Sequence, residues 1–181
     1  REGVHKLDLI VITHPHADHI GQLPEVMEAF PVQEIWMSGI EYPTLAYERA
    51  LDAILASTAD YKEPRAGEEY IVGSLKLQVL NPENVEGDEH ETCIALQVEF
   101  GAFSLLLTGD VEEKIEEAII RKFPHLQAHV LQLGHHGSRT STSELLLDAV
   151  QPEVAIYSAG QCNTYGHPHV EVVARILQRN I

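Results

Sequence analysis

The chain alternates short apolar runs with amphipathic stretches, and the period of each separates strands from helices. Leu7-Asp-Leu-Ile-Val-Ile12 has the length of a buried parallel strand. Residues 21–30 predict a short helix starting near Pro24, which suits a first helical turn, and Pro31 ends it. Val32 to Ser38 reads as the next strand. Leu45, Ala46, Leu51, Ile54 and Leu55, at helical spacing, predict a helix over 44–57. The middle of the chain turns to hairpins, one pairing 69–72 with 75–80 around Gly73-Ser74, the other pairing 93–100 with 103–108 around Gly101-Ala102. Residues 83–91 form an acidic loop between them. Helix 112–123, strand 128–133, helix 143–150, strand 154–158 and helix 170–179 complete the pattern, with Ser141 and Glu144 at capping-box spacing before the second of these helices. Hairpins mixed with strand–helix alternation predict an α/β fold with antiparallel portions, its sheet in two layers with helices outside. No repeat, linker or low-complexity tract interrupts the 181 residues, so one domain is expected over 1–181.

Charge narrows the function. The chain has 28 acidic against 12 basic residues, a net charge of -16. Such a field repels polyanions, which argues against tight, sequence-independent nucleic-acid binding. A transient nucleic-acid substrate stays open, because bound cations reverse the charge locally. Cys93 and Cys162 are too few and too far apart for a disulfide framework, and no cysteine zinc spacing is present. No apolar run approaches the roughly 18 residues of a membrane span, and no signal peptide opens the chain. A soluble domain of open localisation is therefore expected. Arg1 to Lys6 lead straight into a buried strand, an entry that reads as the mark of a fragment.

The chemistry concentrates just after the first strand, in Thr13-His14-Pro15-His16-Ala17-Asp18-His19-Ile20-Gly21. Ligands bind at the C-terminal ends of strands in open α/β folds. In extended backbone, residues two apart share a side, so His14 and His16 can grip one metal ion. Asp18 and His19, where the chain turns towards a helix, can reach a second. Pro15 stiffens the segment, and Gly21 is expected to let the backbone turn sharply beside it. Asp110 ends the apolar strand Leu105-Leu-Leu-Thr-Gly-Asp, where it either bridges two cations or caps helix 112–123. His135 and His136, flanked by Gly134 and Gly137, stand at another strand end. One of them completes the second metal's shell. Spacing leaves open which; with His135 as the ligand, His136 is the general acid or substrate contact. Ser138, Arg139 and Thr140 are candidates to hold substrate oxygens, or simply a helix cap. His167 is a candidate for proton transfer or substrate binding, and otherwise a structural loop residue. His5, His125, His129 and His169 read as incidental.

His-x-His-x-Asp-His resembles the signature of the metallo-β-lactamase superfamily, whose members bind one or two metal ions, usually zinc. Together with Thr108-Gly109-Asp110, Gly134-His-His-Gly-Ser-Arg-Thr-Ser141 and Asn163-Thr-Tyr-Gly-His-Pro168, it is similar to the C-terminal domain of bacterial competence DNA-uptake channel proteins and their stand-alone relatives. The resemblance implies a four-layer αβ/βα sandwich, here without the strands that usually precede the metal motif. It implies two divalent ions, Zn²⁺ or alternatively Mn²⁺, with Asp110 as the bridging ligand. His90 would complete the first metal's shell beside His14 and His16. At His90-Glu-Thr-Cys93 the chain departs from the subgroup, which tends to have Asn and Ser there, and Glu89 or Glu91 could supply oxygen ligands instead. Asp18 would join His136 and His167 in catalysis. The implied activity is metal-dependent hydrolysis, first of a phosphodiester such as single-stranded DNA. The alternatives are a phosphocholine ester, thioester or lactam, or a non-catalytic metal-stabilised module serving a membrane channel.

Overall fold

The computed structural model describes residues 3–181. Three parallel strands form one sheet in the order β1 (Ile10–Val11), β2 (Glu34–Trp36), β3 (Asp60–Lys62). Six strands form the other, in chain order: β4 (Glu69–Val72), β5 (Leu75–Asn81), β6 (Ala95–Phe100), β7 (Phe103–Leu107), β8 (Val130–Gln132) and β9 (Val154–Ile156). The first four of these pair antiparallel and the last connections are parallel, as the two hairpins and the later strand–helix alternation require.

Three apolar clusters stack the layers. Ile12, Ile20, Ile35, Ala50 and Ile54 join the small sheet to α1 (Ala17–Ile20), α2 (Leu23–Ala29) and α3 (Leu45–Ala56). Trp36, Leu77, Val79, Ile94 and Leu96 lie between the two sheets. Leu106, Ile119, Leu131, Leu147, Val172 and Ile176 join the large sheet to α4 (Glu113–Lys122), α5 (Glu144–Val150) and α6 (Val170–Gln178). The result is the αβ/βα sandwich. Side chains such as Ile35 and Ile94, at 0% and 1% exposure, each contribute roughly 1.5–3 kcal/mol by burial.

Three local expectations change. Asp60-Tyr-Lys62 is a strand although all three residues are exposed, because β2 offers it a free edge and the local sequence carries no alternation. The cap of α5 is Ser143, whose side chain accepts the Leu146 N–H, whereas the Ser141 hydroxyl donates to the Val111 carbonyl. Gly21 has ordinary helical angles; its role is close approach, since a Cβ there would lie 2.5 Å from the Ala17 carbonyl oxygen. Among the described residues, no helix is long and apolar enough to cross a membrane.

Candidate metal centre

The motif after β1 is held from both sheets. Ile12 N–H donates to the Trp36 carbonyl at 2.9 Å, and Ile94 N–H to the Thr13 carbonyl at 2.8 Å. The chain stays extended through His16, then winds into α1, so His16 caps the turn that carries Asp18 and His19. At the end of β7, Gly109 takes φ +54, and a Cβ there would meet Cys93 Sγ at 2.6 Å. Only glycine fits that close, left-handed turn, which delivers Asp110 to the same place. Beyond β8, His135 and His136 both adopt left-handed backbone, at φ 49 and 59. Such residues carry strain, of order 1–3 kcal/mol each, that the surroundings must hold.

Two groups of ligand atoms result. One atom from each of His14, His16, His90 and Asp110 lies within 4.8 Å of the others, and the same holds for Asp18, His19 and His136. Asp110 Oδ2 joins them, 3.5 Å from His14 Nε2, 3.4 Å from His19 Nε2 and 3.5 Å from His136 Nε2. The helix cap considered for Asp110 falls instead to Glu112. His136, rather than His135, sits with Asp18 and His19, 3.2 Å from Asp18 Oδ2. His135 packs against the His90 ring at 4.8 Å. Among the described residues, His90 Nε2, Asp110 Oδ1 and His135 Nδ1 are buried side-chain atoms without a hydrogen-bond partner. His90 and Asp110 belong to the first ligand group, and His135 packs against His90 beside it. Orphaned buried donors and acceptors of this kind are costly, and the set of imidazoles and carboxylates is one that divalent cations satisfy.

Electrostatics favours the ligating forms of His14 and Asp110. At His19, by contrast, burial, which lowers the imidazole, is outweighed by the Asp110 hydrogen bond and the Asp110 and Asp18 charges, which raise it. Burial, reinforced by the charge of His19, holds the His14 imidazole down at about 3, so it is neutral as metal binding requires. Burial pushes the Asp110 carboxyl up, but the His19 hydrogen bond and the charges of His19, His14 and His136 outweigh it and hold it at about 2.

The family model of the metallo-beta-lactamase superfamily matches residues 1–161. The chain belongs to that superfamily. It is 33% identical over 180 residues to ComE operon protein 3 of Bacillus subtilis, covering 99% of this chain and 23% of the relative. It is 33% identical over 183 residues to Competence protein ComA of Neisseria gonorrhoeae, covering 99% of this chain and 24% of the relative. The chain therefore spans about a quarter of the length of these relatives. Among solved structures, the diiron β-hydroxylase CmlA of Streptomyces venezuelae shares the fold, with TM-score 0.67 and 15% identity over 97% of this chain and 42% of CmlA.

The outer nitrogens of this metallo-β-lactamase cluster are also held. His136 Nδ1 donates to the Ser158 carbonyl at 2.8 Å, and His14 Nδ1 pairs with the Thr13 hydroxyl at 3.1 Å. His16 turns Nδ1 towards His14 Nε2, at 3.0 Å, and its Nε2 towards Glu89 Oε1, at 3.1 Å. Such outer partners fix the tautomer and aim the ligand nitrogen. Asn81 in turn anchors the acidic loop, donating to the carbonyls of Glu91 at 2.8 Å and Cys93 at 2.7 Å.

Other candidates sit differently. Ser138, Arg139 and Thr140 do not line the cleft: the two hydroxyls pair at 3.0 Å and Arg139 faces Glu171 at 3.6 Å. His167 does line it. His169, read as incidental, accepts the Arg139 N–H on Nδ1 at 3.0 Å and donates its own N–H to the Gly137 carbonyl, tying the histidine loop to α6. Glu116, at 0% exposure, accepts the Thr142 N–H at 2.5 Å and the Ser143 N–H at 2.9 Å. Thr142 Oγ1 accepts the Gly134 N–H, which completes a brace from α4 to the histidines. Sequence reading missed Glu116. Its signal was a carboxylate on an apolar helix face, with Ile119, Ile120 and Phe123 at i+3, i+4 and i+7.

Proposed function

We propose that this domain is a two-metal phosphodiesterase that cleaves single-stranded DNA. The observation that carries the reading is Asp110 Oδ2, one carboxylate oxygen within 3.5 Å of histidines from both ligand groups. In this reading His14, His16 and His90 hold one ion, Asp18, His19 and His136 hold the other, and Asp110 serves both. The ions are Zn²⁺ or Mn²⁺. When bound, such a pair supplies Lewis acidity and lowers the pKa of a coordinated water to about 7. The protein's own contribution is orientation. The Ser158, Glu89 and Thr13 bonds keep the imidazoles aimed inward, and the exposed Asp18 carboxylate would be available to take a proton from the attacking water. His167 and His135, both facing the cleft, are the groups to return a proton to the leaving oxygen. DNA as substrate is supported by the similarity to competence proteins, and attachment to a membrane channel belongs to the same proposal.

Protein stripped with chelator is expected to leave a labelled single-stranded oligonucleotide intact, and added Mn²⁺ or Zn²⁺ to restore cleavage. Persistence of the full-length band under every metal would sink the reading. A second reading, hydrolysis of a phosphocholine ester, thioester or lactam, is favoured by one feature: among the described residues the cleft has no Lys or Arg to reserve for phosphate. Turnover of any of these in preference to DNA would select it.

The outer bond of His16 makes a separate expectation. Glu89→Gln should weaken the binding of one ion by about tenfold or more, the usual cost of losing such a partner. Competition with a chelating dye measures this directly, and equal affinity for both ions in variant and wild type would remove Glu89 from the site.

A further inference from the structure

We propose that Tyr165 and Tyr42 are nucleobase-stacking walls, so that the cleft takes single-stranded nucleic acid one or two nucleotides at a time without reading its sequence. The substrate class rests on the phosphodiesterase reading; the stacking geometry stands apart from it.

Three flat rings form a column out of the metal cluster. His167 lies over His136 at 6.2 Å and 24°, and Tyr165 lies over His167 at 5.7 Å and 23°. The column ends on Tyr165, which is 76% exposed, a large aromatic surface with nothing laid on its outer face. Tyr42 lines the same cleft and stands edge-on to His16 at 5.5 Å and 69°. Tyr42 thus neighbours a member of one ligand group directly, and Tyr165 reaches a member of the other, His136, through the His167 ring. The loop presenting Tyr165 is pinned: Asn163 Nδ2 donates to the carbonyls of Gly160 at 2.9 Å and His167 at 2.7 Å, and its Oδ1 accepts the His167 N–H at 2.9 Å.

Charge makes stacking necessary. Proteins that hold single strands usually combine a cationic groove with aromatic platforms. Here the described cleft lining offers no Lys or Arg, and the chain carries a net charge of -16. The grip on the flanking nucleotides falls to the aromatics. Every base has a π-face, so the grip is tolerant of sequence. The cleft, about 590 Å³, is within the roughly 300–1,000 Å³ of small-ligand sites and holds a nucleotide or two, not a duplex.

The test compares oligothymidylate with an abasic oligonucleotide of equal length and charge, both with cleavage-resistant phosphorothioate linkages, binding to the Mn²⁺-loaded protein at constant salt. Fluorescence anisotropy should give a dissociation constant roughly tenfold or more lower for oligothymidylate, the loss expected for one base–aromatic stack. Tyr165→Ala should lower that ratio, Tyr165→Ala combined with Tyr42→Ala should bring it close to one, and Tyr165→Phe should keep it. Equal binding of the two oligonucleotides by wild type, or a ratio unmoved by Tyr165→Ala combined with Tyr42→Ala, overturns the stacking proposal. Cleavable versions of the same oligonucleotides separate the two ideas: base-dependent binding without cleavage under any metal refutes the phosphodiesterase and leaves the stacking walls standing.

Discussion

Asp110→Ala is expected to reduce metal-dependent turnover by more than about a hundredfold while the fold survives. Loss of a mere outer partner costs metal sites about 10–100-fold, and Asp110 faces both ligand groups directly. Its Oδ2 lies within 3.5 Å of His14, His19 and His136, and its Oδ1 has no protein partner to lose. In the two-metal reading, removing the carboxylate therefore takes away the ligand proposed to be shared, and it leaves the surrounding backbone bonds intact. The charge of the site matters as much as its geometry. Four imidazoles lie within 3.8 Å of this one buried carboxylate, so in the two-metal reading its loss would leave the ions with imidazoles and Asp18 alone. Metal analysis of the purified variant should show fewer than two ions per chain, with a thermal melt of the metal-free protein close to wild type. Asp110→Asn, which keeps the shape and one oxygen, should fall between. Two tightly bound ions and unchanged turnover in Asp110→Ala would refute the bridging role.

Glu116→Ala should destabilise the protein by about 3–5 kcal/mol, because it orphans two buried N–H donors at about 1–3 kcal/mol each and opens a cavity. The consequence reaches the cluster. Thr142 and Ser143 belong to the loop whose Thr142 Oγ1 holds Gly134, and that loop keeps His135 and His136 in left-handed backbone. With the brace gone, affinity for the ion at His136 should fall as well as the urea midpoint. Full stability in Glu116→Ala would show that the loop is carried by Arg175, which donates to the Ser141 and Thr142 carbonyls, and not by Glu116. A pH dependence accompanies this. Burial raises the Glu116 carboxyl above its ordinary value of 4.5, outweighing the hydrogen bonds from Ser143 and Thr142 that favour the charge. A raised folded value means the stabilisation is complete below the unfolded value and is lost as pH rises through the folded one. Wild-type stability relative to Glu116→Gln, both in chelator, should therefore be greatest near pH 4 and decline towards pH 8. A difference flat in pH would mean that the carboxyl is not perturbed.

The order of most strands and helices, the two hairpins and most of the residues that gather in the metal-suited cluster were legible in the chain itself. Apolar periodicity decides which residues can be buried, and a cluster such as His14-Pro-His-Ala-Asp-His19 carries its chemistry within six positions. Local spacing sufficed wherever the decisive neighbours are close in sequence. It failed where they are distant. Asp60-Tyr-Lys62 became a strand only because β2 presents an edge to it. Spacing treats His135 and His136 as equals, yet consecutive left-handed residues throw their rings to different sides: one towards His90, the other towards Asp18 and His19. The same is true of Glu89 on His16, 73 residues away, and of Tyr42 and Tyr165, which share a cleft only after the two sheets close. The sequence alone determined the layers and the metal-seeking residues, since both follow from hydrophobicity and side-chain type. Only the tertiary structure decided how those residues divide into two groups around one carboxylate, because that depends on backbone angles and on partners brought together by packing between the sheets.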